Sequence, residues 1–412
     1  MIYLFENAAQ IITVDTGGIN SKPGSQMKNI GILTNHSIVV ENGIIKDFVK
    51  SGGKKRSIDK KIDLRKKTLM PGFVECHTHT AFAGSRSNEF RQKLSGVGYE
   101  EIAKNGGGIN TTVKAVRNST FDELLQIIQP RIDYFISQGI TTLEIKSGYG
   151  LSFYDEIKLL QVINQLNRNN PIEIVATFLG AHTYPNEYNN DHVKYNEIII
   201  NEMLPYIAEN KLAEFCDAFC EVTAFSADEV DKIFSAAAKH GLKLKLHTEQ
   251  FNNIGGLDVA LNHQAVSVDH LEVISDSDTN KMVDTNTVSV LLPGVSFFLN
   301  YNYAPARKLI DKGATVALST DFNPGSSHIS NLNLIMSLAA LKMNMSIEET
   351  ISAVTINAAK AINRNQSTGS LEIGKKADFS VFDTEDFSDI VYQVGKNLNC
   401  ITVKEGEIIY SR

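Results

Sequence analysis

From Pro71 onward the chain alternates short apolar runs with stretches of helical period. The runs at 73–78, 141–146, 173–180, 218–222, 242–247, 265–268, 287–291 and 314–319 are rich in β-branched residues and nearly continuous in apolar character, as strands buried on both faces are. Between them, residues 121–138, 154–167, 190–209 and 227–240 carry apolar positions three and four apart, the spacing of one helix face. Ser226, ahead of Ala227-Asp228-Glu229, predicts a helix N-cap, and Gly241 predicts the stop. Eight strands with intervening helices over about 250 residues match a (β/α)8 barrel.

Outside that span the pattern changes. Residues 11–14, 37–40 and 44–49 read as strands, Glu41-Asn42-Gly43 supplies a hairpin signal, and 17–29 reads as a loop; no helical period shows before Pro71. After the barrel, 347–361 is helical, the segment from Gly369 to Phe379 returns to turns and β-structure, and 401–403 and 408–410 close the chain as strands. Neither terminal piece is large enough to fold alone. The expected architecture is therefore α/β: a distorted (β/α)8 barrel over residues 71–361, with a small composite β-sandwich built from residues 1–70 and 362–412.

Composition narrows the function. Apolar residues make up 42% and charged residues 21% of the 412, as in an ordinary soluble protein with ample core. A net charge of −7 gives no support for nucleic-acid or anionic-membrane partners. The basic runs Lys54-Lys55-Arg56 and Arg65-Lys66-Lys67 read as a solvated face. No apolar run approaches the roughly 20 residues that cross a bilayer, and Met1-Ile2-Tyr3-Leu4 lacks the basic start of a signal peptide. Cys76, Cys216, Cys220 and Cys400 are too few for a disulfide framework; Cys216 and Cys220 read as two buried small hydrophobes. These features point to a cytoplasmic protein acting on a small molecule.

Candidate chemistry starts at Pro71-Gly72-Phe73-Val74-Glu75-Cys76-His77-Thr78-His79. Alternate residues of a strand share a face, so His77 and His79 project together and can share a metal ion. In barrels of this kind chemistry sits at the C-terminal strand ends. Those positions yield His77, His79, His182, His247, His270 and Asp321. Three imidazoles and a carboxylate suit zinc or iron, with room for a water. His36, His192, His240 and His263 fall in loops or helices as surface or cap residues, and His328 lies near Asp321 in sequence.

The His77-Thr78-His79 stretch, His247, His270, Thr320-Asp321 and the tail Gly369-Ser370-Leu371-Glu372-Ile373-Gly374-Lys375-Lys376-Ala377-Asp378 together resemble the amidohydrolase superfamily, over nearly the whole chain. Further stretches resemble its branch that opens the cyclic amide of 4-imidazolone-5-propanoate to N-formimidoyl-L-glutamate. They are Thr80-Ala81-Phe82-Ala83-Gly84-Ser85-Arg86, Gly106-Gly107-Gly108-Ile109, Glu144-Ile145-Lys146-Ser147-Gly148-Tyr149-Gly150-Leu151, Phe178-Leu179-Gly180-Ala181-His182 and Ser319-Thr320-Asp321-Phe322-Asn323-Pro324-Gly325-Ser326. The resemblance implies that His77, His79, His247 and Asp321 bind one divalent or trivalent metal, zinc or iron. Binuclear relatives place a bridging Lys or Glu at the end of the fourth strand; Asp217-Ala218-Phe219-Cys220-Glu221 has no Lys, which favours one metal, and Lys146 stands on the second strand.

By the same resemblance the metal lowers the pKa of a bound water so that hydroxide attacks the ring carbonyl. His270 orients the water and steadies the oxyanion, and Asp321 carries the proton to the leaving nitrogen. Arg86 takes the substrate's propanoate, Tyr149 and His182 hold the ring and carboxylate, and Asn323, Gly325 and Ser326 contact the far side. Deaminating relatives carry Glu three residues after the fifth-strand histidine as a proton shuttle. Here it is Gln250, which binds an imidazolone but moves no proton, and Glu249 points away. Gly106-Gly107-Gly108 lacks the Lys-Ser/Thr of a phosphate loop and reads as a mobile loop near the pocket. A homodimer is expected, as in many members of the superfamily. The alternatives are another cyclic-amide hydrolase or aminohydrolase on the same barrel, and a silent scaffold, which would have lost metal ligands that this chain retains.

Overall fold

The computed structural model describes residues 1–50, 57–96, 107–283 and 285–412. The basic run Lys54-Lys55-Arg56 and Gly106 lie outside the described residues. Eight parallel strands form one sheet in chain order: Phe73–Glu75, Ile140–Lys146, Glu173–Ala181, Phe215–Cys220, Lys243–Thr248, Ser267–His270, Val288–Leu291 and Val316–Leu318. The first and last strands of the sheet meet at its mouth, where Thr78 bridges Phe322 and the His79 N–H donates to the Phe322 carbonyl at 3.0 Å. The barrel is distorted, as expected.

The first strand stops at Glu75 rather than at 78. Beyond it, side chains replace the ladder: the Thr78 N–H donates to Glu144 Oε2 (3.0 Å) and Thr78 Oγ1 to the Glu144 carbonyl (2.7 Å). The fourth strand runs Phe215–Cys220, earlier than expected, because the Glu221 carboxylate collects the N–H groups of Val222, Phe251 and Asn252 and turns the chain away. The sixth slides two residues on, which brings His270 into register beside Thr248 of the fifth strand.

Ser226 caps its helix through a full capping box with Glu229, and Gly241 follows the C-cap residue His240 at φ +79°. The helix expected over 190–209 contains a π-turn, Ile199–Met203, between α-helices His192–Ile198 and Leu204–Glu209. Pro205 accounts for it, having no N–H to give and a ring that crowds the preceding turn. The helix expected over 347–361 breaks at Thr355, at φ −121° and ψ −98°.

Two further sheets flank the barrel. One has strands in the order Ile44–Lys50, His36–Glu41, Ile2–Glu6 and Lys60–Asp63; its hairpin turns at Asn42 and Gly43, both at positive φ. His36 therefore opens a strand and does not sit in a loop or helix as expected. The other sheet interleaves the two ends of the chain: Glu407–Ser411, Asn399–Lys404, Phe379–Phe382, Thr68–Pro71, Gln10–Ile12 and Ile32–Leu33. Phe5, Ile11, Ile38, Val40, Leu69, Phe379, Val381 and Val403 form a shared apolar core between them, with Phe5 and Phe379 edge-to-face at 4.8 Å. Each such aromatic side chain contributes about 2–3 kcal/mol by burial. Thr68–Pro71 runs into the first barrel strand two residues later, so the sandwich anchors the histidine-bearing segment directly.

Candidate active site

Four side chains meet at the barrel mouth. His79 Nε2 lies 3.3 Å from His247 Nε2 and 3.3 Å from Asp321 Oδ1, and His77 Nε2 lies 3.4 Å from the same oxygen. All four are buried, and the ligand atoms of His77, His79 and His247 lie within 4.8 Å of one another. Lys245 and His247 alternate on the fifth strand, with Asp217 and Asp269 on the neighbouring fourth and sixth, while His77 and His79 follow directly on the end of the first strand.

Hydrogen bonds fix the direction in which the imidazoles point. His77 Nδ1 donates to Asp269 Oδ2 (2.5 Å) and His247 Nδ1 to Asp217 Oδ1 (3.0 Å). A carboxylate only accepts, so both Nδ1 atoms carry the proton and both Nε2 lone pairs face the centre. Among the described residues, His77 Nε2, His79 Nδ1 and Asp321 Oδ1 have no hydrogen-bond partner although they are buried. His77 Nε2 and Asp321 Oδ1, orphaned and 3.4 Å apart, fit a cation between them, whereas the orphaned His79 Nδ1 lies on the side of its ring away from the centre.

Charge gives the same answer. The interior carries Glu75, Glu144, Asp217, Asp269 and Asp321 against Lys146 and Lys245, all buried. Burial pushes Glu75 up to about 8, and the other carboxylates still outnumber the two lysines, so a cation at the histidine cluster offsets negative charge. Burial alone would lift the Asp321 carboxyl, but His77 and His79 outweigh it and hold it well below the ordinary value. Burial holds His79 and His247 below the usual imidazole range, that is, neutral and able to ligate.

The other expected residues surround this cluster. His270 stands with its ring 5.4 Å from that of His247, on left-handed backbone (φ +89°), with Nδ1 3.5 Å from Glu272 Oε1. Burial would lower its pKa, but Glu272, Asp321 and Asp269 together raise it. His182 stacks on His79 at 5.1 Å and donates from Nδ1 to the Gly148 carbonyl (2.9 Å); burial and His79 push it down to about 3. Tyr149 lies 5.9 Å from His79 and 5.4 Å from His182, and burial raises its phenol. Gln250 is buried immediately after the fifth strand.

Arg86 reaches across the mouth. Its Nε donates to Glu89 Oε2 (2.8 Å), and its Nη1 lies where a Cβ on Gly325 would come within 2.2 Å. Glycine at 325 is therefore what leaves space for the guanidinium. Asn323 uses its amide within the loop: Nδ2 donates to Asp321 Oδ2 (3.0 Å) and Ser326 Oγ (3.0 Å), while Oδ1 accepts from the Gly325 and Ser326 N–H groups. His328 packs on Phe82 and Phe322 and bonds the carbonyl of Asn323, two residues after Asp321. The charges that act on Glu249 are Asp278, Lys281 and Asp258 of the surrounding helices, and burial pushes it up to about 7.

Sequence reasoning missed Asp217, Asp269, Lys146 and Lys245 as parts of the site. The available signal was a charged residue within a run that is otherwise buried on both faces, which needs a partner inside the barrel.

A model described as the amidohydrolase family matches residues 102–410. The imidazolonepropionase of Clostridium tetani is 42% identical over 417 residues, covering 99% of this chain and 98% of its own. That of Thermoanaerobacter pseudethanolicus is 46% identical, covering 93% of this chain and 92% of its own. Among solved structures, an adenosine deaminase from Xanthomonas campestris with bound zinc superposes with a TM-score of 0.74 at 14% identity, covering 99% of this chain and 93% of that one. An atrazine chlorohydrolase from Arthrobacter aurescens complexed with zinc gives 0.70 at 16%, with 99% and 95% coverage. At such low identity the two structures share the fold alone.

Proposed function

This chain belongs to the amidohydrolase family, among the imidazolonepropionases, and from that premise we propose how its residues carry the reaction. The enzyme hydrolyses the cyclic amide of 4-imidazolone-5-propanoate to N-formimidoyl-L-glutamate, a step of histidine degradation. His77, His79, His247 and Asp321 would hold one ion, zinc or iron, which when bound supplies a Lewis acid that makes water nucleophilic near pH 7.

The protein's own groups do the remaining work. Asp321, whose Oδ2 is held by Asn323, takes the proton from the attacking water and passes it to the leaving ring nitrogen. His270, favoured as imidazolium by Glu272, orients the water and stabilises the oxyanion. His182 is neutral with its proton on Nδ1, so its Nε2 accepts a hydrogen bond from a ring N–H. Tyr149 stays protonated and donates. Arg86, tethered through Nε, offers its terminal N–H groups to the propanoate. Gln250 hydrogen-bonds the ring without moving a proton, which sets this site apart from that of a deaminase.

Three imidazoles and one carboxylate oxygen converging at the barrel mouth carry this reading. The test is turnover: imidazolone propanoate supplied to the purified enzyme should yield formimidoyl-glutamate, with guanine and cytosine untouched. Deamination of either control in place of ring opening would overturn it. Among the described residues no helix is long and apolar enough to cross a membrane. We also infer a cytoplasmic homodimer, which light scattering checks.

A further inference from the structure

Beneath the histidines lie two buried lysines that the reaction does not touch. Lys146 Nζ is 2.8 Å from Asp217 Oδ2 and 2.8 Å from Glu144 Oε1. Lys245 Nζ is 3.7 Å from Asp269 Oδ2 and donates to the Cys76 and Ala361 carbonyls at 3.4 and 3.2 Å. Both side chains are fully buried. Interiors of such barrels are ordinarily filled by branched apolar side chains, and a buried ion pair is on balance seldom more stable than a well-packed apolar replacement. Stability therefore does not explain two lysines here.

Their partners do. Asp217 and Asp269 are the two carboxylates that receive the Nδ1 protons of His247 and His77. Asp217 meets His247 through Oδ1 and Lys146 through Oδ2, and Asp269 Oδ2 faces both His77 and Lys245. His79 has no such support: its Nδ1 is unpartnered and its ring rests on His182. Given the ligand set proposed above, we propose that Lys146 and Lys245 are positioning residues for the metal. Each clamps an aspartate, through which it holds one imidazole with its Nε2 lone pair on the ion. Lys146 acts on His247 and Lys245 on His77, as two independent relays.

Zinc affinity, measured on the full-length protein by competition with a chromophoric chelator, tests this. The variants are Lys146→Met, Asp217→Asn and their double, and Lys245→Met, Asp269→Asn and theirs. Each single variant should bind zinc about 10–100-fold more weakly, the usual loss when a ligand's supporting group goes. Each double should be no weaker than its aspartate variant, because the lysine acts only through that aspartate. The visible spectrum of the cobalt-loaded lysine variants should shift, which a loss of packing away from the ion does not cause. Lysine variants with wild-type zinc affinity, or doubles whose losses add, would overturn the proposal. If a Lys→Met variant does not fold, the double, which removes the stranded charge as well, is compared with its aspartate variant: equal affinity supports the relay and weaker affinity overturns it. His79→Ala separates the premises. If it keeps wild-type zinc affinity, the ligand set falls and this inference with it; if it loses zinc while the lysine variants do not, only this inference falls.

Discussion

The sandwich core and the barrel interior are both fully buried, yet they are built on opposite principles. Between the terminal sheets, Phe5, Phe379, Leu69 and Val381 meet in an apolar cluster, and the buried charges Lys404 and Asp378 beside it pair with each other at 2.8 Å. Inside the barrel, the carboxylates of Glu75, Glu144, Asp217, Asp269 and Asp321, the amines of Lys146 and Lys245 and the imidazoles of His77, His79, His247 and His270 share a space of similar depth. At the barrel mouth His270 (φ +89°), Leu271 (φ +68°) and Asp321 (φ +48°) hold left-handed backbone, and two of the three are site residues. Backbone of this kind costs on the order of 1–3 kcal/mol per residue and persists where the surroundings impose it. The sandwich stabilises the chain and holds the first strand, whereas the barrel interior gives up stability to hold unsatisfied ligand atoms in place.

Substitutions should separate the two regions cleanly. Asp321→Asn removes a ligand and the proton carrier, and kcat should fall by about 10³-fold or more with little change in melting temperature; steady-state kinetics and calorimetry together check this. Arg86→Ala should raise KM for the propanoate substrate by about 10²-fold while kcat changes far less. Gly325→Ala places a methyl against the Arg86 guanidinium and should raise KM by about tenfold, through displacement of that side chain. Phe379→Ala acts in the other region. It should cost about 3–5 kcal/mol of stability in a denaturant titration and leave kcat, KM and zinc affinity of the folded enzyme unchanged. If Phe379→Ala weakens zinc binding instead, the two regions are not separable.

Much of this was legible in the chain because it depends on local period. Parallel strands buried on both faces announce themselves as apolar runs, and strand alternation places His77 with His79. The Asn42-Gly43 hairpin and the Ser226 cap follow from residue chemistry at fixed offsets. What was not legible depends on distant partners. Phe379–Phe382 is a strand because Thr68–Pro71 lies beside it, more than 300 residues away in sequence, and no local pattern specifies that register. Strand ends moved where side chains such as Glu144 and Glu221 took over backbone hydrogen bonds. The aspartates behind the histidines stayed hidden for the same reason, since their roles exist only once neighbouring strands are aligned.

The most direct test is to strip the enzyme of metal and titrate zinc back while following hydrolysis of imidazolone propanoate. Activity should start near zero, rise in proportion to added zinc and level off at one ion per chain. Full activity in the stripped enzyme, or a plateau only at two ions, would contradict a single cation held by His77, His79, His247 and Asp321.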